Sequence, residues 1–153
     1  MKKETKKLSI KPPHIAITLL LASWLLDHFF RQFRSIYGKF RYIGLIILLI
    51  GLSITFYSFY LFKKNKTPII PGTKPTFVVQ SGPYKFTRNP MYLGVTLALL
   101  GISIYIGNLL SLLSPLIFFI AMNLVYIPFE EKLMENLFGK LYLNYKKKVR
   151  RWL

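Results

Sequence analysis

YIGLIILLIGLSITFYSFYLF, residues Tyr42 to Phe62, runs for 21 residues without one charged side chain. A helix needs about 20 predominantly apolar residues to cross the hydrocarbon core of a bilayer. This stretch is therefore read as a membrane-spanning helix, and it decides the fold class. Gly44, Gly51, Ser53 and Ser58 along it are the small residues that let membrane helices approach closely. The whole chain agrees with the reading, since 53% of its 153 residues are hydrophobic and they fall in long blocks.

Toward the N-terminus, Arg31, Arg34, Lys39 and Arg41 fill a connection to an earlier apolar run, Ile15 to Phe30. That run is about the shortest that spans a bilayer, and Pro12 and Pro13 open it. Asp27 and His28 fall in its last turn, where the interface tolerates polar groups, and are read as interfacial anchors or as a local hydrogen-bonding pair. Residues 1–11, MKKETKKLSIK, carry five lysines and one glutamate and read as a solvated basic tail. No small-residue cleavage site follows the first apolar run, so no removable signal peptide is expected.

Toward the C-terminus, residues 63–88 change character, with four prolines, two glycines and no helical period. The apolar string Thr76 to Gln80 inside them suits an ordered loop at the membrane surface better than a solvated linker. Asn89 as N-cap and Pro90 at the first helical position then open a third run, Met91 to Leu110. Asn108 and Ser111 mark a tight uncharged tip before a fourth run, Leu112 to Phe129, which Pro115 can open and Pro128 should kink. Beyond it Leu133, Leu137, Leu141, Tyr145 and Val149 recur every four residues, the stripe of an amphipathic helix in the interface plane, with Gly139 dividing it in two.

The net charge of +17 is explained by topology before nucleic acid is invoked. Assigned to alternating sides of four spans, Lys and Arg number 18 against 4. The positive-inside bias then puts both termini and the 63–90 loop in the cytoplasm, and no nucleic-acid motif occurs. The absence of cysteine removes disulfides, thiolate nucleophiles and cysteine-ligated metals. His14 and His28 flank an apolar segment, so no metal site is expected.

In that topology Arg88-Asn89-Pro90 and the pair Glu130-Glu131 lie at the same interface, at opposite ends of one helical hairpin. Two readings of the glutamates stand side by side: a half-buried carboxylate facing a cation, or acids in the first turn of the C-terminal helix, where the dipole favours them. The helix start at Asn89, Pro90 and Met91 offers free N–H groups to a carboxylate or phosphate, with Arg88 adding charge. Tyr84, Phe86 and Tyr92 offer rings to a planar group or a cation.

Val78-Val79-Gln80-Ser81-Gly82-Pro83-Tyr84, Thr87-Arg88-Asn89-Pro90-Met91-Tyr92-Leu93-Gly94, and later Glu130-Glu131 with Phe138-Gly139, Tyr142, Tyr145 and Val149 resemble a known group. They are similar to the membrane methyltransferases of the isoprenylcysteine carboxyl methyltransferase and phospholipid methyltransferase families, from Thr76 onward. The resemblance implies S-adenosylmethionine as methyl donor, contacted by Thr76, Phe77, Val78, Val79, Tyr84, Asn89, Pro90, Met91, Tyr92 and Glu130. Arg88 and Glu131 are the candidates for orienting the acceptor. No GxGxxG follows a strand, which excludes a Rossmann-type methyltransferase. Two positions depart from the families: histidine is usual where this chain has Asn89, and the prenylcysteine enzymes place a substrate-binding arginine where it has Tyr126.

The expectation is therefore an all-α integral membrane protein, one domain over residues 1–153. It has four transmembrane helices (about 14–30, 42–62, 91–110 and 112–129), a cytoplasmic cofactor loop (63–90) and an amphipathic C-terminal segment (130–153). Its expected activity is methyl transfer from S-adenosylmethionine to a lipophilic or lipid acceptor. A non-catalytic lipid-binding or scaffold protein, and an NADPH-dependent membrane reductase, are the competing classes.

Overall fold

A computed structural model describes residues 10–36, 38–68 and 73–153 of the chain. Residues 1–9 of the expected basic tail and 69–72 of the expected loop lie outside the described residues. Among the described residues six α-helices follow in order: α1 (Pro12–Phe29), α2 (Arg41–Lys64), α3 (Pro90–Ile106), α4 (Leu113–Ala121), α5 (Ile127–Phe138) and α6 (Lys140–Lys148). No strand occurs among the described residues, so the all-α expectation holds. Among the described residues two helical stretches are long and apolar enough to cross a membrane, Gly38–Lys64 with 27 residues and Leu109–Phe138 with 30. α3 is apolar but shorter, at 17 residues.

The two glycines of the decisive stretch serve the α2–α3 contact, whereas Ser53 is exposed and bonds back to its own helix. A methyl group built on Gly51 would lie 2.5 Å from the Gly94 carbonyl oxygen, and one built on Gly44 equally close to that of Gly101. The pairs sit seven residues apart on each helix, so two antiparallel helices touch backbone to backbone at two successive crossings. α1 joins the bundle through hydroxyls, the Ser23 and Ser114 side chains meeting at 2.6 Å while Ser114 donates to the Leu19 carbonyl at 3.0 Å. Leu99, Phe118, Met122, Tyr126 and Ile127 form the buried core between α3 and the long C-terminal helical run.

The predicted tip is present: α3 ends at Gly107, whose φ of 84° is the left-handed conformation glycine adopts freely, and a 3₁₀ turn at Leu109–Leu112 leads into α4. This tip meets the α1–α2 connection. The Ser35 and Ile36 N–H groups donate to the Gly107 carbonyl at 2.9 and 3.2 Å, and the Asn108 amide donates to the Phe30 carbonyl at 2.9 Å. Asp27, read as an anchor or hydrogen-bonding partner, accepts the Arg34 guanidinium at this end. At the other end lie the start of α1, the 73–89 segment and the C-terminus, for the Tyr126 hydroxyl donates to the Ile10 carbonyl at 2.6 Å and the Arg88 N–H to the Arg150 carbonyl at 3.0 Å.

Two boundaries differ from expectation. The fourth run does not stop at Phe129 but continues to Phe138, because a π-turn at Met122–Tyr126 absorbs the irregularity around Pro128. Proline lacks the N–H that the carbonyl four residues earlier would accept, and the wider turn restores pairing by taking the Ile127 N–H to the Met122 carbonyl, five residues back. Consequently there is no free helix N-terminus at Glu130, and the dipole reading of the glutamate pair fails. The C-terminal segment divides at Gly139 as expected, but α6 ends at Lys148 and Val149 is extended, so 149–153 is not helical.

Candidate functional site

The 73–89 segment is ordered by small local contacts. Thr76 ties it to the end of α2, its N–H donating to the Thr67 hydroxyl and its own hydroxyl to the Lys66 carbonyl, both at 3.1 Å. Val78 and Val79 then point into different apolar clusters, Val78 among Tyr142 and Tyr145 of α6, Val79 beside Leu61 and Tyr84. That alternation is the period of an extended chain held between two surfaces. Gly82 has a φ of 58°, the left-handed region that favours glycine, and a 3₁₀ turn over Gly82–Lys85 delivers Tyr84 inward. The Tyr84 ring lies 5.5 Å from that of Phe62, and its carbonyl accepts the Tyr145 hydroxyl at 2.7 Å. Phe77 and Phe86 point outward and are exposed.

Arg88 is the hub. Its side chain is only 8% exposed, and it donates to the Lys146 and Val149 carbonyls at 2.9 and 2.8 Å and to Glu131 at 2.6 Å. These carbonyls lie at the end of α6, so the guanidinium closes that helix, which stops at Lys148, five residues before the stripe's continuation at Leu153. Arg151 approaches Glu131 from another side, with Nη2 at 2.9 Å and Nε at 3.3 Å, and Lys146 stands at 3.3 Å. Lys146 also pairs with Glu135 at 2.7 Å on the rim.

Asn89 occupies the N-cap position of α3, but its side chain does not cap. Its amide donates to the Arg151 carbonyl at 3.0 Å, while its own N–H donates to the Thr87 hydroxyl at 3.2 Å. Pro90 is buried at the first position of α3, with Met91 partly buried beside it. One turn along, the Tyr92 hydroxyl donates to Glu130 at 2.7 Å. Glu130 has no cationic partner among the described residues, whereas its neighbour Glu131 has three.

The surrounding titrations follow from these contacts. Burial pushes the Tyr142 hydroxyl up, with the Glu131 charge adding to it and Arg88 opposing. Burial likewise raises Tyr145, again opposed by Arg88. Both phenols stay neutral, and that of Tyr145 donates to the Tyr84 carbonyl. The bond to Glu135 raises Lys146, and the bond to Glu131 raises Arg151.

The fold thus gathers Arg88, Asn89, Tyr92, Glu130 and Glu131 into one cluster resting on Val78 and Tyr84, leaves Phe77 facing outward, and sets Thr76 at the far end of the loop. Sequence reading missed Asn123, Arg151 and Trp152. The Trp152 indole donates to Asn123 at 3.0 Å and its ring lies 4.6 Å from Phe119, while Arg151 reaches the same Asn123 oxygen at 3.4 Å. No local signal marks them, since Leu153 keeps the four-residue spacing and disguises the tail as more helix.

Residues 40–141, well over half the chain, match the family described as phospholipid methyltransferase. The chain belongs to the phospholipid methyltransferase family. The family's activity is methyl transfer on membrane lipids, and the apolar helices mark a membrane protein. The chain is also similar to an uncharacterized protein of Haemophilus influenzae, 44% identical over 63 residues, which is 41% of this chain and the whole of that protein. The phospholipid methyltransferase match opens just before α2 and includes the loop, α3 and both glutamates. It ends at Leu141, so α1 and the tail that closes on Glu131 lie outside it.

Proposed function

We propose that the protein is a four-pass membrane methyltransferase, a single domain, using S-adenosylmethionine to methylate a lipophilic acceptor that reaches the site from the bilayer. The observation that carries this reading is Glu130: a carboxylate bonded to the Tyr92 hydroxyl at 2.7 Å, without a cationic partner among the described residues, beside the first turn of a helix. An uncompensated carboxylate favours a cationic or hydroxyl-bearing ligand, and the N–H groups of the first turn of α3 favour that ligand's carboxylate. The residues therefore fit a molecule that carries a sulfonium, an ammonium, a ribose and a carboxylate. When bound it supplies an electrophilic methyl group.

This chain's residues then do the positioning. Glu130 and Tyr92, with Asn89, Pro90 and Met91, hold the donor's polar end, and Val78, Val79 and Tyr84 with Thr76 and Phe77 form the loop wall beside it. Arg88 and Glu131, bonded to each other and to the end of α6, orient the acceptor's face indirectly by fixing that wall. Holding two reactants in line supplies a large part of the barrier reduction in a displacement at carbon. Tyr126 is buried and its hydroxyl is engaged with the Ile10 carbonyl, which favours an acceptor without a free carboxylate.

The four-pass topology, with both termini cytoplasmic, is supported by the two polar ends of the bundle. The α1–α2 connection meets the α3–α4 tip at one end, and Ile10, the loop and the C-terminus meet at the other, where most Lys and Arg lie.

Titration calorimetry in detergent tests the reading. S-Adenosylhomocysteine is expected to bind the wild type and NADPH is not, and Glu130→Gln should weaken the complex by about tenfold, the effect of a lost charged hydrogen bond. Unchanged affinity in Glu130→Gln refutes the site. A reporter fused after Leu153 that proves extracytoplasmic refutes the topology.

A further inference from the structure

Resting on that cofactor reading, we propose that Arg151 is a positioning residue for Glu130, acting through Asn123 and Glu131 from outside the family-matched region. Three elements that must keep a fixed relation meet at this one residue. Its guanidinium bridges Asn123, in the π-turn, and Glu131, the neighbour of Glu130 on α5. Its carbonyl accepts the Thr87 hydroxyl and the Asn89 amide, both at 3.0 Å, at the start of α3. The Tyr92–Glu130 bond crosses between those same two helices.

The π-turn is where such a tie matters. Within Met122–Tyr126 the regular ladder of bonds four residues back is replaced by wider ones, so the rotation of everything after it depends on outside partners. Asn123 Oδ1 receives two donors, from Arg151 and from the Trp152 indole, and Phe119 backs the indole ring. Seven residues on, two helical turns away, comes Glu130. Fixing Asn123 on one side and Glu131 on the other sets the angle at which the Glu130 carboxylate faces Tyr92. Lysine is a poorer substitute: an ammonium can meet two oxygens, as Lys146 does, but it lacks the planar fork that presents Nε, Nη1 and Nη2 at fixed angles to Asn123 and Glu131.

The test is a double-mutant cycle on S-adenosylhomocysteine affinity with the full-length protein in detergent. Arg151→Lys is expected to weaken binding about tenfold, as for a lost charged hydrogen bond, and Trp152→Phe, which keeps the ring and removes the indole donor, about threefold. In a Glu130→Gln background the Arg151→Lys effect should shrink to less than about twofold, since groups acting through one another are not additive. A purely structural arginine would lower the unfolding temperature equally in both backgrounds and leave the affinity effects additive. Additivity, or Arg151→Lys binding within twofold of wild type, overturns the proposal. If the wild type does not bind S-adenosylhomocysteine, the cofactor reading itself fails and the role of Arg151 falls with it.

Discussion

Glu131→Gln is the most informative single change in stability. Glu131 is 5% exposed and receives Arg88 at 2.6 Å, Arg151 at 2.9 Å and Lys146 at 3.3 Å. Glutamine keeps the shape and one accepting oxygen but leaves three converging cations without their shared anion, and Arg88 among them is buried. Removing one partner of a buried pair costs about 3–5 kcal/mol, because the remaining charge stays desolvated. Set against a total stability of about 5–15 kcal/mol for a folded domain, that is a severe loss. The matching control is Glu135→Gln, whose pair with Lys146 at 2.7 Å is about one-third exposed on each side and should contribute less than about 1 kcal/mol. Equilibrium unfolding in detergent micelles, followed by circular dichroism, reads both. A Glu131→Gln protein within about 1 kcal/mol of its Glu135→Gln counterpart would refute the claim that the Arg88–Glu131–Arg151 cluster holds the loop, α3 and α5 together.

Gly51→Ala sets two terms against each other: alanine gains about 1 kcal/mol of helix propensity, while its methyl would lie 2.5 Å from a backbone oxygen and 2.6 Å from the Ala98 nitrogen, a clash costing about 1–3 kcal/mol or more because backbone cannot turn aside. The clash should win, giving a lower unfolding temperature than Ser53→Ala on the exposed face, and an unfolding temperature equal to that of Ser53→Ala refutes the close helix contact. Lys146, raised above its ordinary 10.5 by its bond to Glu135, contributes stability that is fully present below that value and is lost as pH rises through the higher folded value. Wild type should therefore lose more stability than Lys146→Gln when alkaline denaturation is followed upward from pH 10.5, and parallel curves would dismiss the pair.

Much of this protein was legible because the relevant physics is local. An uncharged run of 21 residues reports its own helix, Asn89-Pro90 its own start, Gly139 its own break, and Pro128 its own irregularity, although not that the irregularity would be a π-turn carrying the helix through to Phe138. The string from Val78 to Tyr92 and the glutamate pair stood out as a candidate site for the same reason, each being contiguous in sequence. What composition and period could not show was the different surroundings of the two members of the pair, which only the resemblance had told apart. Glu130 and Glu131 are identical residues side by side, yet one meets a tyrosine hydroxyl from α3 and the other is surrounded by cations from the loop, α6 and the tail. Those partners, Tyr92, Arg88, Lys146 and Arg151, lie 38, 43, 15 and 20 residues away along the chain. Neither hydrophobic period nor capping chemistry carries information over such separations. Composition and pattern alone determined a helical membrane protein and pointed to a candidate site beside Arg88. Tertiary structure decided which carboxylate has no cationic partner among the described residues, because that depends on where the helices bring distant charges together.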